Sequence, residues 1–137
     1  MILLDTNVLV GILRGNAKVS KRFSRHLGEM AVPAMVLGEL IFGAEKSKNP
    51  EKNRKLVSTL MGALPVMHTN DAIMEKFGEQ KALLSRRGET VEDADVLIAA
   101  TALAYDATLV TGKIRHFSRF AELKLDDWTS SERLEAT

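Results

Sequence analysis

The chain has 137 residues, enough for about one domain, and its 45% hydrophobic and 27% charged content is typical of a globular protein rather than a disordered one. It lacks cysteine, which excludes disulfides, thiolate metal sites and a thiol nucleophile, and its three histidines lack the close spacing of a zinc site. The net charge of +1 conceals an uneven distribution: residues 1–60 sum to +5 and the remainder to −4, which favours a polyanionic partner, although solvated helix faces explain it equally well.

The hydrophobic pattern predicts strands that alternate with helices along the chain. The predicted strands cover residues 1–4, 30–32, 64–67, 108–111 and 123–125, the last as an edge strand. The predicted helices cover residues 8–13, 18–27, 34–44, 51–60, 71–87 and 92–105, with Asn7 or Thr6 capping the first. This alternation predicts one α/β domain over residues 1–128 with a mostly parallel sheet, followed by a loose polar tail over residues 129–137.

The sequence shows no targeting segment. Asp5 interrupts the apolar start, which also lacks a basic region of the kind found in signal peptides. No stretch approaches the ~18 apolar residues needed to span a bilayer. We therefore expect a cytoplasmic protein without membrane contact.

The first candidate functional residue is Asp5, which follows the apolar stretch Met1-Ile-Leu-Leu4. This stretch is too short for a helix and predicts a buried strand. Burying an unpaired carboxylate costs several kcal/mol, so an acid at the end of such a strand needs a partner. A cation at the end of the strand would meet that need.

Two acids lie in the first turn of the helix predicted over residues 92–105. From Ala94 to Tyr105 the helix is apolar on every side apart from Asp95, which predicts that it is buried all round. Capping by Asp93 and the helix dipole explain one acid readily, whereas a second acid is harder to explain by packing. Since helix amino ends and strand carboxyl ends line the ligand crevice of an open α/β sheet, Asp95 is the stronger functional candidate.

Glu39 lies nearly opposite the apolar stripe of the helix predicted over residues 34–44, on the side that carries Met35 and Phe42. This position favours a cleft wall or a subunit interface, and a plain surface glutamate remains the alternative. If Asp5, Glu39 and Asp95 converge, their mutual repulsion needs a counter-charge. Oxygen ligands without cysteine or clustered histidine indicate Mg²⁺ or Mn²⁺.

Several short segments carry a resemblance to a known family. They are Ile2-Leu-Leu-Asp-Thr-Asn7, Gly38-Glu-Leu40 before Phe42-Gly-Ala-Glu45, Asp95-Val-Leu-Ile-Ala-Ala100, Leu109-Val-Thr111 leading to Arg115-His-Phe117, and the ending Leu123-Lys-Leu-Asp-Asp-Trp128. In this order and spacing they resemble the PIN-domain ribonucleases, and within them the VapC-type toxins of bacterial type II toxin–antitoxin pairs. Each motif is weak alone, but the likeness extends from residue 1 to about residue 128.

The resemblance implies a PIN-like α/β/α sandwich around a central, mostly parallel sheet of four to five strands. It implies a Mg²⁺-dependent endoribonuclease that cleaves structured translation RNA, commonly tRNA or an rRNA loop. Such toxins are neutralised by a cognate antitoxin protein and occur as homodimers or toxin–antitoxin hetero-oligomers. The family's first three metal-binding acids fall on Asp5, Glu39 and Asp95, and the positions of Asn7 and Thr111 usually supply supporting hydrogen bonds.

One position departs from the family pattern. Two residues after Thr111, where relatives usually carry Asp or Asn, this chain has Lys113, and His116 replaces a later acid of some relatives. A protonated lysine has three donors and no acceptor, so Lys113 cannot bind a metal. It could occupy the place of a second cation or contact a phosphate. One Mg²⁺ is therefore a safer expectation than two, and Asp93 is a weaker candidate for the missing oxygen.

Basic residues on both sides of the predicted cleft are candidates for RNA contact. They are Arg14, Lys18, Arg22, Arg25, Arg115 and Arg119, in addition to Lys113. Lys18, Arg22 and Arg25 recur at helical spacing and are expected to share a face. Such residues bind phosphates without reading sequence, and the few aromatic residues favour recognition of a folded RNA by its shape.

Two amphipathic stretches, residues 51–62 and 71–87, leave two interpretations open. Their apolar residues, such as Ile73, Met74, Phe77 and Leu84, are explained first by core packing. The alternative is a groove for an antitoxin helix, or a dimer face together with Met35 and Phe42. An arginine of the antitoxin could then pair with the acids of the cleft.

Other functional classes fit the sequence less well. A phosphatase with Asp5 as nucleophile would need a second acid where Asn7 stands. A PIN-like module with a decayed metal site, binding RNA or protein without cleaving, is supported only by Lys113. No strand is followed by a dinucleotide-binding G-x-G-x-x-G motif, and Gly112-Lys113 lacks the spacing and the Ser or Thr of a P-loop.

Overall fold

The structure is a computed structural model that describes residues 1–129, and its centre is a five-stranded, entirely parallel sheet. The strands are β1 (Ile2–Leu4), β2 (Met30–Pro33), β3 (Val66–Met67), β4 (Thr108–Val110) and β5 (Lys124–Asp126). They lie in the order β3-β2-β1-β4-β5. The expectation of an α/β fold with four to five strands is confirmed, and the sheet is parallel throughout.

Seven helices within the described residues connect and flank these strands in an α/β/α arrangement. They are α1 (Thr6–Leu13), α2 (Ala17–Arg25), α3 (Ala34–Glu45), α4 (Pro50–Met61), α5 (Asp71–Arg86), α6 (Asp93–Ala104) and α7 (Ile114–Phe117). Six were expected from the pattern, and α7 was not, because a single helical turn has no resolvable period. Within residues 1–129, no helix is long and apolar enough to cross a membrane.

Some element ends differ from those expected. Asp5 caps α1, accepting a hydrogen bond from the Thr6 amide, so neither Thr6 nor Asn7 is the cap. Glu92 precedes α6 without a side-chain cap, and Asp93 is its first residue rather than its cap. Strand β3 is two residues long and begins after Pro65, whose carbonyl accepts a hydrogen bond from the Val32 amide of β2 at 2.9 Å. Of the tail expected over residues 129–137, all but Thr129 lies outside the described residues.

Successive strands are added on one side of β1 up to β3 and on its other side from β4 onward, so the sheet has a topological switch point between β1 and β4. The connections through α1–α2 and α3–α4 lead from β1 to β2 and then to β3, and the connection through α5–α6 returns to the other side of β1. Such a switch point opens a crevice at the carboxyl ends of the two central strands, where open α/β sheets bind their ligands. The fold therefore directs attention to Asp5 after β1 and Thr111 after β4.

Large side chains make the core around this point rigid. Leu3, Leu4 and Leu109 of the central strands are fully buried, as are Phe117 and Trp128 to within 1% exposure. In α6, Val96 and residues 98–102 are buried, so the prediction of a buried helix holds along its middle. Interiors of this density move little, and the residues that they carry to the crevice are held in place.

Candidate active site

Asp5 lies at the switch point with its carboxylate in the interior. Its amide donates to the Val110 carbonyl at 2.9 Å, which fixes the end of β1 against β4. The side chain is 1% exposed, and its Oδ1 accepts from the Thr6 amide at 2.8 Å while Oδ2 accepts from the Thr111 hydroxyl at 2.7 Å. These hydrogen bonds offset part of the cost of burial. A carboxylate has about four acceptor positions, so some remain for a cation.

Thr6 connects Asp5 to Glu39. The Thr6 hydroxyl donates to Oε1 of Glu39 at 2.5 Å, while its amide donates to Asp5. Glu39 is half-buried on α3, as a cleft wall requires and an open surface glutamate does not. Sequence reasoning did not identify this function of Thr6. The available signal was a hydroxyl in the first turn of a helix, directly after the candidate acid.

Asp95 reaches the same region from the first turn of α6, with its side chain 13% exposed. Its Oδ2 lies 3.0 Å from Nε2 of His116, and its Oδ1 lies 3.8 Å from the ammonium of Lys113. The Lys113 amide donates to the Thr111 hydroxyl at 3.0 Å, and that hydroxyl donates to Asp5. Hydrogen bonds thus join Asp5 to Glu39 through Thr6 and to Lys113 through Thr111, and an ion pair of 3.8 Å continues this network from Lys113 to Asp95.

Two of the three acids, Asp5 and Glu39, have the donor chemistry that a divalent cation prefers. Asp5 and Glu39 offer hard carboxylate oxygens joined through one threonine, which is the donor chemistry of Mg²⁺ and Mn²⁺. Asp95 does not complete a ligand set: no group of three Asp, Glu or His residues among residues 1–129 is placed to hold a metal ion. In this arrangement Lys113 and His116 lie against the two oxygens of Asp95, and the assignment of all three acids as ligands of one ion stays a prediction.

A cleft of about 720 Å³ opens beside this network. Thr6, Asn7, Arg14, Glu39 and Lys113 are among the residues that line it. The Gly112 amide lies within hydrogen-bonding distance of Oδ1 of Asn7, at 3.4 Å. A Cβ atom at position 112 would approach the side-chain nitrogen of Asn7 (Nδ2) to 3.1 Å, so glycine permits the segment after β4 to lie this close to α1.

Asp93 lies apart from this network. Its side chain is 64% exposed and forms a salt bridge of 3.0 Å with Lys81 on α5. The role assigned to it from the sequence, a substitute for the missing fourth acid, stays a prediction. Its observed partner is a surface lysine, and such exposed pairs contribute little to stability.

The basic residues expected to contact RNA occupy different environments. Arg14 borders the cleft, Lys18 and Arg25 are exposed on α2, and Arg115 is exposed on α7. Arg119 lies within 3.9 Å of Glu89. These assignments stay predictions.

Arg22 must be removed from this RNA-binding set. It is 4% exposed, and its guanidinium donates to the Asp127 carbonyl at 2.7 Å. Arg22 follows buried Val19 by three residues and therefore lies on the inner face of α2, not on the face expected to meet RNA.

This combination defines the class of protein. A parallel sheet of order 3-2-1-4-5, with a carboxylate at its switch point and two further acids from neighbouring helices, is the framework of a PIN domain. The PIN domain family model matches residues 2–123. The chain belongs to the PIN-domain family.

Curated relatives place the chain more narrowly within that family. It is 32% identical over 127 residues to ribonuclease VapC2 of Haemophilus influenzae, covering 92% of this chain and 96% of that protein. It is 33% identical over 128 residues to the tRNA(fMet)-specific endonuclease VapC of Shigella flexneri, covering 93% and 97%. A chain of the crystal structure of VapBC2 from Rickettsia felis, bound to a DNA fragment from their promoter, matches with a TM-score of 0.88 and 30% identity, covering 93% of this chain and 99% of that one.

Proposed function

We propose that the protein is a Mg²⁺-dependent endoribonuclease toxin that cleaves structured translation RNA, with tRNA as the first candidate and an rRNA loop as the second. The observation that carries the proposal is the network that joins Asp5 to Glu39 through Thr6, and to Asp95 through Thr111 and Lys113, at the switch point of the sheet. Membership of the PIN family and relatives named as VapC ribonucleases support the same reaction class.

Asp5 and Glu39 are the residues that would hold the ion. When bound there, Mg²⁺ would polarise the scissile phosphate and stabilise the negative charge that develops during phosphodiester cleavage; Mn²⁺ could replace it. Asp5 is held by two hydrogen bonds inside the protein and supplies a fixed negative charge. Thr6 fixes the orientation of Glu39, so the two carboxylates keep their relative placement without reorganisation during the reaction.

Acidic and basic residues of the site have separate roles toward the water and the RNA. Asp95 or Glu39 would orient the attacking water in line with the leaving 3′ oxygen, which leaves a 5′-phosphate and a 3′-hydroxyl. Arg14 and Lys113 border the cleft and would contact the RNA backbone. The predominance of basic side chains over aromatic ones around the cleft supports recognition of a folded RNA by its shape.

The relatives also support an antitoxin partner and a hetero-oligomeric assembly. The R. felis structure is of VapBC2, and the matching chain of that structure covers 93% of the present chain. We infer that a cognate antitoxin blocks the cleft of this protein and that the pair acts in the cytoplasm, where translation RNAs are found. Phe42, 61% exposed on α3 near Glu39, supports a protein contact on that side, with the antitoxin or with a second copy.

The decisive experiment compares RNA cleavage by the purified protein and by three substituted forms. Total tRNA is incubated with Mg²⁺, and new 5′ ends are mapped by sequencing. Asp5→Asn, Glu39→Gln and Asp95→Asn are each expected to lower the rate by roughly a hundredfold or more, since each removes a charge from the site. Asp106→Asn and Glu45→Gln make the same chemical changes at exposed positions and should retain the wild-type rate.

Two results would contradict the proposal. Identical ends produced by Asp95→Asn at the wild-type rate would identify a contaminating nuclease. Binding of tRNA without any cleavage by the wild-type protein would favour the PIN-like binding module instead, a function for which the engagement of Asp95 by Lys113 is the only structural support.

A further inference from the structure

A positively charged side chain, that of Lys113, lies beside Asp95. The Lys113 ammonium lies 3.8 Å from Oδ1 of Asp95, and His116 meets the other oxygen at 3.0 Å. Lys113 immediately precedes α7 and His116 lies within that helix, three residues later. Both side chains therefore extend from one turn of helix toward the first turn of α6.

Two further contacts restrain Lys113, one through its backbone and one through its side chain. Its amide donates to Thr111 at 3.0 Å, and its ammonium lies 5.6 Å from the centre of the Phe117 ring, which is fully buried. A cation over the face of an aromatic ring is attracted to it, which adds to the attraction of Asp95. The side chain is 47% exposed and lines the cleft together with Glu39.

This arrangement separates the three acids into two groups with different partners. Asp5 and Glu39 are joined by Thr6, whose amide and hydroxyl both donate to them. Asp95 has cationic or nitrogen partners on both of its oxygens. Within residues 1–129, no group of three Asp, Glu or His residues is placed to hold a metal ion.

We propose that Lys113 is a positioning residue that neutralises Asp95 and limits the protein to a single divalent ion, held on the Asp5–Glu39 side of the cleft. The inference rests on the proposed function, because it concerns the ion required there. A unit positive charge within a few ångström of a divalent ion repels it, so Lys113 weakens divalent binding at Asp95 and supplies the second positive charge itself. Its ammonium faces the cleft, where a phosphate of the substrate would lie.

The test measures Mn²⁺ binding to the full-length protein by titration calorimetry and by the electron paramagnetic resonance of free Mn²⁺, without RNA. The wild-type protein is expected to bind one ion. Lys113→Gln should bind Mn²⁺ about tenfold more tightly, the change expected when a unit charge near a divalent ion is removed from a partly exposed site. Lys113→Met, which retains the aliphatic stem over Phe117, should behave like Lys113→Gln, and Lys113→Arg like the wild type.

A matched control removes the same charge elsewhere. Lys124 pairs with Asp106 at 3.0 Å and aligns with Thr108 at the amino end of β4. The cleft lies at the carboxyl ends of the strands, which is the opposite end of the sheet. Lys124→Gln should change the Mn²⁺ affinity by less than about twofold, because the charge is distant and screened. Thermal denaturation of each variant without metal checks that the fold is retained.

The outcomes separate this inference from the proposed function. One bound ion with equal affinities in Lys113→Gln and Lys124→Gln would overturn the role of Lys113 and leave the nuclease proposal standing. Two ions in the wild-type protein would also overturn the inference alone. No Mn²⁺ bound by the wild-type protein, or binding that persists in Asp5→Asn, would overturn the inference and the metal site of the proposed function together.

Discussion

Thr111 holds the candidate site together through a single hydroxyl group. This hydroxyl donates to Asp5 at 2.7 Å and accepts from the Lys113 amide at 3.0 Å, and the residue is fully buried. It therefore serves the end of β1 and the segment after β4 at the same time. A carboxylate in the interior that loses such a donor loses the stabilisation that the hydrogen bond provided.

We predict that Thr111→Val lowers the free energy of unfolding by about 2–3 kcal/mol, because it leaves a buried carboxylate oxygen without this donor while the side-chain volume is nearly unchanged. Urea denaturation followed by circular dichroism measures the change. Thr101→Val is the matched control, since the equally buried Thr101 hydroxyl donates to Leu97, a carbonyl of its own helix. It should cost less than about 1 kcal/mol. Equal losses in the two variants would refute the role given to Thr111.

At this scale, sequence reasoning identified the charged residues but not all of their partners. Asp5 and Asp95 stand out because each is a carboxylate beside an apolar segment that predicts burial. Thr6 and His116 do not stand out, because their contacts reach Glu39 and Asp95, which are 33 and 21 positions away in the chain. Such contacts depend on how helices cross, and a hydroxyl or imidazole is common on any helix.

Helix α2 illustrates the same limit for a whole element. Its basic residues at helical spacing predicted a solvent face, yet Arg22 is buried and donates to the Asp127 carbonyl at 2.7 Å. His26, which follows the helix, stacks on Trp128 with ring centres 5.3 Å apart. The inner face of α2 therefore packs on the segment after β5. A charge pattern read from the sequence cannot reveal that a carbonyl from the other end of the chain meets the arginine.

This packing predicts different effects for two basic residues of one helix. Arg22→Ala should lower the free energy of unfolding by about 2 kcal/mol, because it removes a charged donor and buried methylene groups and leaves the Asp127 carbonyl without this bond. Lys18→Ala, on the exposed side, should change it by less than about 0.5 kcal/mol. Chemical denaturation of both variants measures the difference. If Arg22→Ala proved as stable as Lys18→Ala, the structural role of Arg22 would be wrong.

For the molecule as a whole, the sequence pattern predicted the α/β fold class with its mostly parallel sheet. The order of the strands in the sheet could not be derived from local sequence patterns. Alternating strands and helices favour parallel pairing, because each crossover helix returns the chain to the end of the sheet at which the preceding strand began. Whether β4 joins the free edge of β3 or of β1 is a choice between two non-local pairings, which no local spacing encodes. That choice creates the switch point and brings Asp5 within hydrogen-bonding distance of Thr111.

The folded molecule also gives the uneven charge of the sequence a location. Arg14, from the positively charged residues 1–60, and Lys113, from the other part, both border the cleft that contains Glu39. Cations at the rim would hold RNA phosphates while the acids lie beneath them. Such contacts release counterions, so their number is reported by the dependence of the binding constant on salt.

We therefore predict that tRNA binding weakens steeply as KCl is raised, measured by fluorescence anisotropy with the Asp95→Asn form, which is expected to leave the RNA uncut. Adding Arg14→Gln should weaken binding and reduce the slope of log K against log salt by about 0.7–0.9, the loss of one phosphate contact. Adding Lys124→Gln instead removes one positive charge at the amino ends of the strands, away from the cleft, and should leave the slope unchanged. If the Arg14 and Lys124 variants gave the same slope, the RNA would be held by the overall charge of the protein and not by the rim of the cleft.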